Sequence, residues 1–262
     1  MKLTYEIADI APYINWAYFY YAWGMHGMPD AEKQKLRQEA DDVLHLMEGR
    51  YHTYALFELF DAYSEGDDII LEGVGRIPFL RQQQPGSDCL CLSDFIRPTS
   101  GDRVGIFATS VDHGLETDFE DDPYQKMMMQ LLADRLAEAT AERMHEEVRK
   151  HYWGYAKDEN LSIPEMQVEK FQGIRPAVGY PSLPDTSLNF VIDQLLDMKQ
   201  IGIRLTESGA MRPHASVSGF MFAHPQAHYF TLGKIGEDQL QDYARRRGLP
   251  VETLRKFLAA NL

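Results

Sequence analysis

Apolar residues recur at helical spacing in several parts of the chain. Between residues 31 and 48 they fall three and four positions apart, which predicts a surface helix. The longest predicted helix begins after Asp122, a suitable N-cap followed by Pro123, and extends to about Tyr152. Four more helices are predicted further along the chain, over 162–173 (which begins with a capping box), 188–200, 237–247 and 250–258.

Short apolar runs bounded by turn residues predict strands. The runs 54–60 and 69–71 flank the segment 64–67, which contains a glycine and is typical of a hairpin turn. The run 103–109 is predicted to be a central strand. Further strands are predicted over 203–206, 216–222 and 228–232. Because helices and strands are segregated rather than alternating, we expect an α+β fold with a mostly antiparallel sheet.

Composition and charge exclude several classes of protein. Of the 262 residues, 44% are hydrophobic and 25% are charged, which is typical of a soluble globular protein. The formal net charge of −14 argues against nucleic-acid binding and against docking on anionic lipid. Two cysteines are too few for a disulfide framework, so a reducing compartment is expected.

The N-terminal segment lacks the features of a targeting signal. Glu6 and Asp9 occupy positions where a signal peptide carries positive charge. The apolar run that follows is interrupted by Pro12 and Asn15 and is shorter than the ~20 residues of a membrane span. We therefore expect a cytoplasmic protein with no membrane partner.

A pair of carboxylates on the long predicted helix is a first candidate for ligand binding. Asp134 and Glu138 lie four residues apart, where two negative charges repel unless a cation or a ligand amino or hydroxyl group lies between them. The alternative is a solvated acidic flank with Arg135 and Arg143 as counter-charges. From spacing alone, this second interpretation is favoured.

The loop between Gly173 and Pro181 is a second candidate. Its prolines stiffen it, and Gly179 permits a positive φ or a close backbone approach. Arg175 offers a planar fork suited to a carboxylate. Such a loop can hold a zwitterionic ligand with backbone groups and one bidentate arginine, or it can be a rigid connector between helices.

Metal and nucleic-acid patterns are weaker. Cys89 and Cys91 would face the same side of a strand, but they offer two ligands at most, and two small buried side chains are the simpler interpretation. His224 and His228 also fall short of a metal site. The tail 243–256 has the form of a helix-turn-helix, but the acidic charge of the chain favours a solvated helix pair.

Seven stretches of the chain carry a pattern known from one protein family. They are Cys91–Ile96, Leu132–Ala139, Tyr152–Ala156, Gly173–Tyr180, Leu205–Ser208, Ala215–Gly219 and Asp242–Ala244. In this order, from about Ile14 to the C-terminus, the chain resembles the activation domain of cobalamin-dependent methionine synthase. The resemblance implies a curved α+β unit with a central antiparallel sheet flanked by helices. It also implies binding of S-adenosylmethionine (SAM), which remethylates an oxidised cob(II)alamin when an electron is supplied.

The resemblance implies a set of SAM-binding residues, and the spacing of cysteine and histidine predicts no metal site. Arg175 falls on the arginine that grips the SAM carboxylate, and Asn15 falls on a usually acidic position that meets the ammonium of the ligand. Glu138 and Glu169 fall on acidic positions that line the site, with Asp134 nearby. The other implied positions are Ala177, Gly179 and Tyr180 in the loop, and Tyr229 and Phe230, which fall on a Tyr-Tyr pair next to the ligand.

The extent of the chain suggests how this domain is used. We expect a single unit over 1–262, with an N-terminal helix and hairpin portion (1–88) and a core that carries the SAM-binding loop (89–262). The chain begins just before the resembling region and leaves no room for homocysteine, folate and cobalamin modules. We therefore expect a free-standing reactivation subunit that is inactive alone. The alternative is a non-catalytic SAM-sensing or interaction module that has kept the fold.

Two partners are implied. Cobalamin would be met only through a partner chain, a cobalamin-binding methionine synthase, because no histidine here has the Asp-x-His-x-x-Gly setting that the family uses for cobalt. A flavodoxin-like electron donor is the second expected partner. The candidate surface for steering it is the densest basic cluster of the acidic chain, formed by Arg245, Arg246, Arg247, Arg255 and Lys256.

Overall fold

An antiparallel sheet with helices on both faces forms the centre of the computed structural model, which describes residues 1–84, 86, 88–119 and 121–262. The strands are β1 (Lys2–Glu6), β2 (His52–Glu65), β3 (Asp68–Leu71), β4 (Gly75–Pro78), β5 (Asp102–Val111), β6 (Arg204–Leu205), β7 (Met211–Arg212) and β8 (Ser216–Met221). The helices are α1 (Ile7–Ile10), α2 (Trp16–Ala22), α3 (Asp30–Met47), α4 (Gly114–Thr117), α5 (Pro123–Glu147), α6 (Ile163–Gln167), α7 (Leu188–Leu196), α8 (Glu237–Arg247) and α9 (Val251–Phe257).

The long strand β2 organises the sheet. The strand order is β4-β3-β2-β5-β8, and β1 pairs with the first half of β2 while β3 pairs with its last residues. On its other side, β2 pairs with β5 from Thr53 opposite Val111 to Ala62 opposite Asp102. The strand β5 is buried from Val104 onward, as the predicted central strand requires. These antiparallel pairings confirm the predicted α+β architecture.

The two faces of the sheet bury two separate cores. Ala55, Phe57 and Phe107 point toward α5 and the N-terminal helices, whereas Leu56 and Ile106 point toward α7. This alternation is the ordinary consequence of the two-residue period of a strand. Hydrogen bonds tie α5 to the first face, because the Thr140 hydroxyl donates to Thr53 and the Thr109 hydroxyl donates to the Ala137 carbonyl.

Local signals located the helices α3, α5, α8 and α9 correctly, whereas the short helices α1, α2 and α4 were not predicted. The Asp122 carboxylate accepts hydrogen bonds from the first turn of α5, as predicted for an N-cap. The helices α3, α8 and α9 and the β2–β3 hairpin also confirm the predictions. Of the described helices, none is both long enough and apolar enough to cross a membrane.

Three predicted elements were wrong in extent or type. The capping box at Ser162 is present, but α6 ends at Gln167 instead of continuing to residue 173, because Glu169 has a φ of +58° and turns the chain away. The helix from Leu188 ends at Leu196, where Asp197 has a φ of +53°. The segment 228–232 forms no strand, since its polar groups bind the neighbouring loop instead.

The cysteine pair also differs from the prediction. Residues 89–91 do not form a strand, because Cys89 has a φ of +54° and lies exposed whereas Cys91 is buried. The two side chains therefore share neither a face nor an environment. Within the described ranges, no group of three or more histidine, cysteine or acidic residues is arranged to hold a metal ion.

Candidate functional site

The loop 174–178 lies alongside β8 as an added edge of the sheet. Ile174 pairs with Phe222, and Ala177 pairs with Gly219. The Val178 N–H donates to the Ser218 carbonyl at 2.8 Å. The sequence predicted this loop to be either a ligand loop or a rigid connector. Its pairing with β8 holds it at a fixed distance from α5, because α5 packs across the same sheet.

A cavity of about 680 Å³ opens between this loop and α5. Its volume falls within the ~300–1,000 Å³ typical of small-molecule sites. Eight of the ten residues predicted for ligand binding line it, and they are Asn15, Glu138, Glu169, Arg175, Ala177, Tyr180, Tyr229 and Phe230. Residues that are far apart in the sequence therefore meet at one site, although their roles toward a ligand stay predictions.

Arg175 is the buried cation of the cavity. Its Nη2 donates to Glu142 Oε1 at 2.7 Å, and its Nη1 donates to His145 Nδ1 at 3.3 Å. Its backbone N–H donates to the Tyr229 hydroxyl at 2.9 Å. Burial lowers the pKa of the Arg175 guanidinium, but the charge of Glu142, its hydrogen bond to Arg175 and the nearby groups Tyr229 and Glu138 together raise the pKa above its ordinary value. The arginine is therefore charged and held in one orientation.

Two further carboxylates of the cavity differ in their surroundings. Glu138, on α5, accepts a hydrogen bond from the Tyr180 hydroxyl. Burial raises the pKa of Tyr180, and the neighbouring charge of Glu138 raises it further, so this phenol remains a donor at neutral pH. Glu169 lies at the exposed rim, yet partial burial and the charge of Glu142 raise its pKa above the usual value.

Aromatic side chains and Asn15 also line the cavity. Asn15 caps α2, and its side-chain oxygen accepts a hydrogen bond from the Ala17 N–H at 3.2 Å. Tyr18 lines the cavity one helical turn further on. Phe230 is positioned by its backbone N–H, which donates to the Ser182 hydroxyl at 3.1 Å. The site thus combines charged groups with aromatic surface.

Two predicted residues lie outside the cavity lining. Asp134 is directed toward His214, with 3.7 Å between Asp134 Oδ1 and His214 Nδ1. Burial raises the pKa of Asp134. Gly179 does have the predicted positive φ, at +91°, but it serves the turn, since its N–H donates to the Leu183 carbonyl at 2.8 Å. Both residues therefore lie outside the lining, and their roles toward a ligand stay predictions.

Sequence reasoning missed several lining residues. Glu142 and Arg135 are the most important, because both are charged and both lie on α5. Arg135 precedes Glu138 by three residues and Glu142 follows it by four, and this spacing indicates that all three share one helix face. The other missed residues with polar groups include Tyr13, Tyr18 and Gln167.

The basic cluster near the C-terminus is only partly available for steering a partner. Arg246 is committed to Asp68 and Asp242, and the buried Arg247 donates to Asp185 at 2.7 Å. Both arginines therefore anchor α8 to the rest of the fold. Arg255 is paired with Glu237, and the negative charge of Glu237 weakens the attraction of Arg255 for an acidic partner.

His145 lies directly behind Arg175 and is fully buried. Because the guanidinium of Arg175 can only donate, the Nδ1 of His145 is the acceptor and the imidazole is neutral. Burial, together with the charges of Arg149 and Arg175, holds the pKa of His145 well below its ordinary value. The ring packs edge-to-face against Phe171, with 5.1 Å between the ring centroids.

This buried histidine predicts that stability falls at mildly acid pH. In the unfolded chain a histidine binds a proton at a pKa of about 6.5, whereas native His145 does not. The unfolded state therefore gains protons below pH ~6.5, and the free energy of unfolding decreases by as much as about 2 kcal/mol from pH 7.5 to pH 5. Urea unfolding measured across this range should show that His145→Gln removes this part of the slope. The exposed His26→Gln serves as control, and identical slopes in all three proteins would contradict the prediction.

A family model and a solved structure both match this chain over most of its length. Residues 6–248 match the family model described as "Vitamin B12 dependent methionine synthase, activation domain". Among solved structures, the chain is similar to the crystal structure of the MetH reactivation domain bound to AdoHcy. The TM-score is 0.94 and the sequence identity is 37%, with coverage of 100% of this chain and 90% of the other.

Proposed function

This chain belongs to the family of vitamin B12-dependent methionine synthase activation domains, and we propose that it binds SAM and positions it for remethylation of a cobalamin carried by a partner chain. The observation that carries the proposal is the cavity between α5 and the loop 174–178, where a buried guanidinium lies among three carboxylates. The solved relative supports it, because that protein is bound to AdoHcy, the molecule that SAM becomes after losing its methyl group.

The charges of the cavity fit those of SAM. The ligand has an ammonium, a sulfonium and a carboxylate, so it has a net positive charge. The cavity presents Glu138, Glu142 and Glu169 against Arg135 and Arg175, which leaves an excess of one negative charge when all five are ionised. One carboxylate oxygen, Glu142 Oε2, is buried without a hydrogen-bond partner among the described residues. An N–H group of the ligand can donate a hydrogen bond to this oxygen.

The residues divide the work of binding. Arg175 uses two of its five N–H donors on Glu142 and His145, and the others are suited to the ligand carboxylate. Tyr18 and Phe230 provide aromatic surface for the adenine ring. SAM supplies an electrophilic methyl group, which is transferred to cobalamin when an electron is provided. The contribution of this chain is therefore binding and orientation rather than acid–base catalysis.

We further propose that the chain acts as the reactivation subunit of a split methionine synthase in the cytoplasm, with a flavodoxin-like protein as electron donor. The activation-domain model accounts for residues 6–248, and no histidine of this sequence has the setting that the family uses for cobalt. In this proposal the cobalamin is carried by the partner chain. Lys256, together with Arg245, which is exposed but paired with Asp242, is the remainder of the basic cluster that would meet an acidic donor.

Calorimetry and a remethylation assay test the proposal in sequence. We expect the isolated chain to bind both SAM and AdoHcy, and failure to bind either would refute the proposed function. A cobalamin-loaded methionine synthase chain that lacks its own activation domain is then mixed with SAM and a reductant. The cob(II)alamin absorbance should decay much faster with this chain present. Binding without any acceleration would instead favour a non-catalytic SAM-sensing module.

A further inference from the structure

Glu142 shows an imbalance between its two carboxylate oxygens. Oε1 accepts the 2.7 Å hydrogen bond from Arg175, while Oε2 is buried and has no hydrogen-bond partner among the residues that the structure describes. A buried ionised oxygen that lacks a donor is costly, and folded proteins rarely tolerate one. Since Glu142 lines the cavity, the ligand is the natural source of the missing donor.

The position of Oε2 next to Arg175 restricts what that donor can be. In the proposed function, Arg175 binds the carboxylate of the amino-acid part of the ligand. In an α-amino acid the ammonium and the carboxylate are attached to the same carbon atom. A ligand whose carboxylate is on Arg175 therefore brings its ammonium close to the carboxylate that Arg175 already binds, which is Glu142.

The other polar groups of the cavity are less suited to this ammonium. Asn15 has no charge, and its side-chain oxygen already accepts the Ala17 N–H at 3.2 Å. Glu138 is engaged by the Tyr180 hydroxyl, and Glu169 lies at the exposed rim, where its carboxylate is open to solvent. Among these groups, Glu142 alone combines a negative charge with a buried oxygen that lacks a partner.

We propose that Glu142 is the specificity-determining residue that receives the α-ammonium of the ligand and so selects ligands with an intact amino-acid end. The inference rests on the proposed function, and it assigns to α5 the counter-charge that the family resemblance assigned to position 15. A charge-assisted hydrogen bond in a buried setting is among the stronger polar contacts, which gives the effect a measurable size.

The test compares two ligands by calorimetry, namely AdoHcy and its deamino analogue, which keeps the carboxylate and the adenosine. The variant Glu142→Gln keeps an oxygen acceptor for Arg175 but removes the charge. We expect it to weaken AdoHcy binding about tenfold or more and to change binding of the analogue less than about twofold. Glu147→Gln is the matched control, because Glu147 lies on the same helix and pairs with Arg143 away from the cavity.

Each other outcome has a distinct meaning. If Glu142→Gln weakens binding of both ligands equally, Glu142 acts only by orienting Arg175. If binding of both ligands is unchanged, Oε2 does not contact the ligand. Either result overturns the inference. Absence of binding to the unmodified chain would refute the proposed function itself. Thermal unfolding checks each variant. If Glu142→Gln does not fold, Glu142→Asp, which keeps the charge but withdraws the oxygens, is measured with the same two ligands and should weaken AdoHcy selectively.

Discussion

Replacement of Arg175 with alanine is expected to abolish measurable binding of SAM and to lower the free energy of unfolding by about 3 kcal/mol. The guanidinium is the buried cation of the cavity, and its loss leaves the Glu142 carboxylate without its partner. The energetic cost arises mainly from that stranded charge rather than from the lost hydrogen bond, because one partner of a buried pair has been removed while the other stays desolvated.

Calorimetry and urea unfolding measure the two parts of this effect. Arg175→Lys keeps the charge but not the planar fork, so we expect it to retain more stability than alanine and still to bind SAM poorly. Arg204→Ala, at an exposed position on β6, is the control and should change neither quantity. Unchanged SAM affinity in Arg175→Ala would remove this residue from the site.

The second large effect is expected for Gly219→Ala, which should destabilise the fold by about 2–3 kcal/mol and also eliminate SAM binding. A Cβ atom at Gly219 would lie 2.2 Å from the Pro176 carbonyl oxygen and 2.9 Å from Ala177 Cα. Real Cβ atoms do not approach backbone so closely, and backbone cannot move aside by rotating a side chain. The loop would have to leave β8, which breaks the 3.1 Å hydrogen bond from the Phe220 N–H to Pro176.

This variant links stability and binding because the same loop carries Arg175 into the cavity. Gly75→Ala is the matched control, since Gly75 lies in the edge strand β4 and a Cβ there would meet no atom within 4 Å. We expect that control to fold and bind SAM like the unmodified chain. If Gly219→Ala retained both full stability and full affinity, the close pairing of the loop with β8 would not be what positions the site.

The two predictions depend on different levels of organisation. The importance of Arg175 was already visible in the sequence, from a lone forked cation in a proline-stiffened loop and from the family resemblance. The importance of Gly219 was not, because the residue has no positive φ and occupies an ordinary strand position. Only the approach of the loop, more than forty residues earlier in the chain, makes a hydrogen atom necessary at this position.

Local interactions allowed the sequence by itself to determine many elements. The N-cap at Asp122, the apolar spacing of α3 and the continuous apolar run of β5 act within a few residues, so their signals survive without knowledge of the fold. By contrast, the strand β1 was missed because its partner β2 begins more than forty residues later. The residues of β1 are mostly exposed, so the alternation of apolar and polar positions that predicts a strand is weak there.

The same distinction applies to the site. Residue types and order determined that an arginine, several carboxylates and aromatic side chains are available, and spacing placed Asp134 and Glu138 on neighbouring turns of one helix. Tertiary structure decided that Asp134 faces His214 while Glu142 faces Arg175. The physical reason is that helical spacing determines which residues share a face, whereas the packing angle of α5 against the sheet and the loop decides which part of that face a cavity receives.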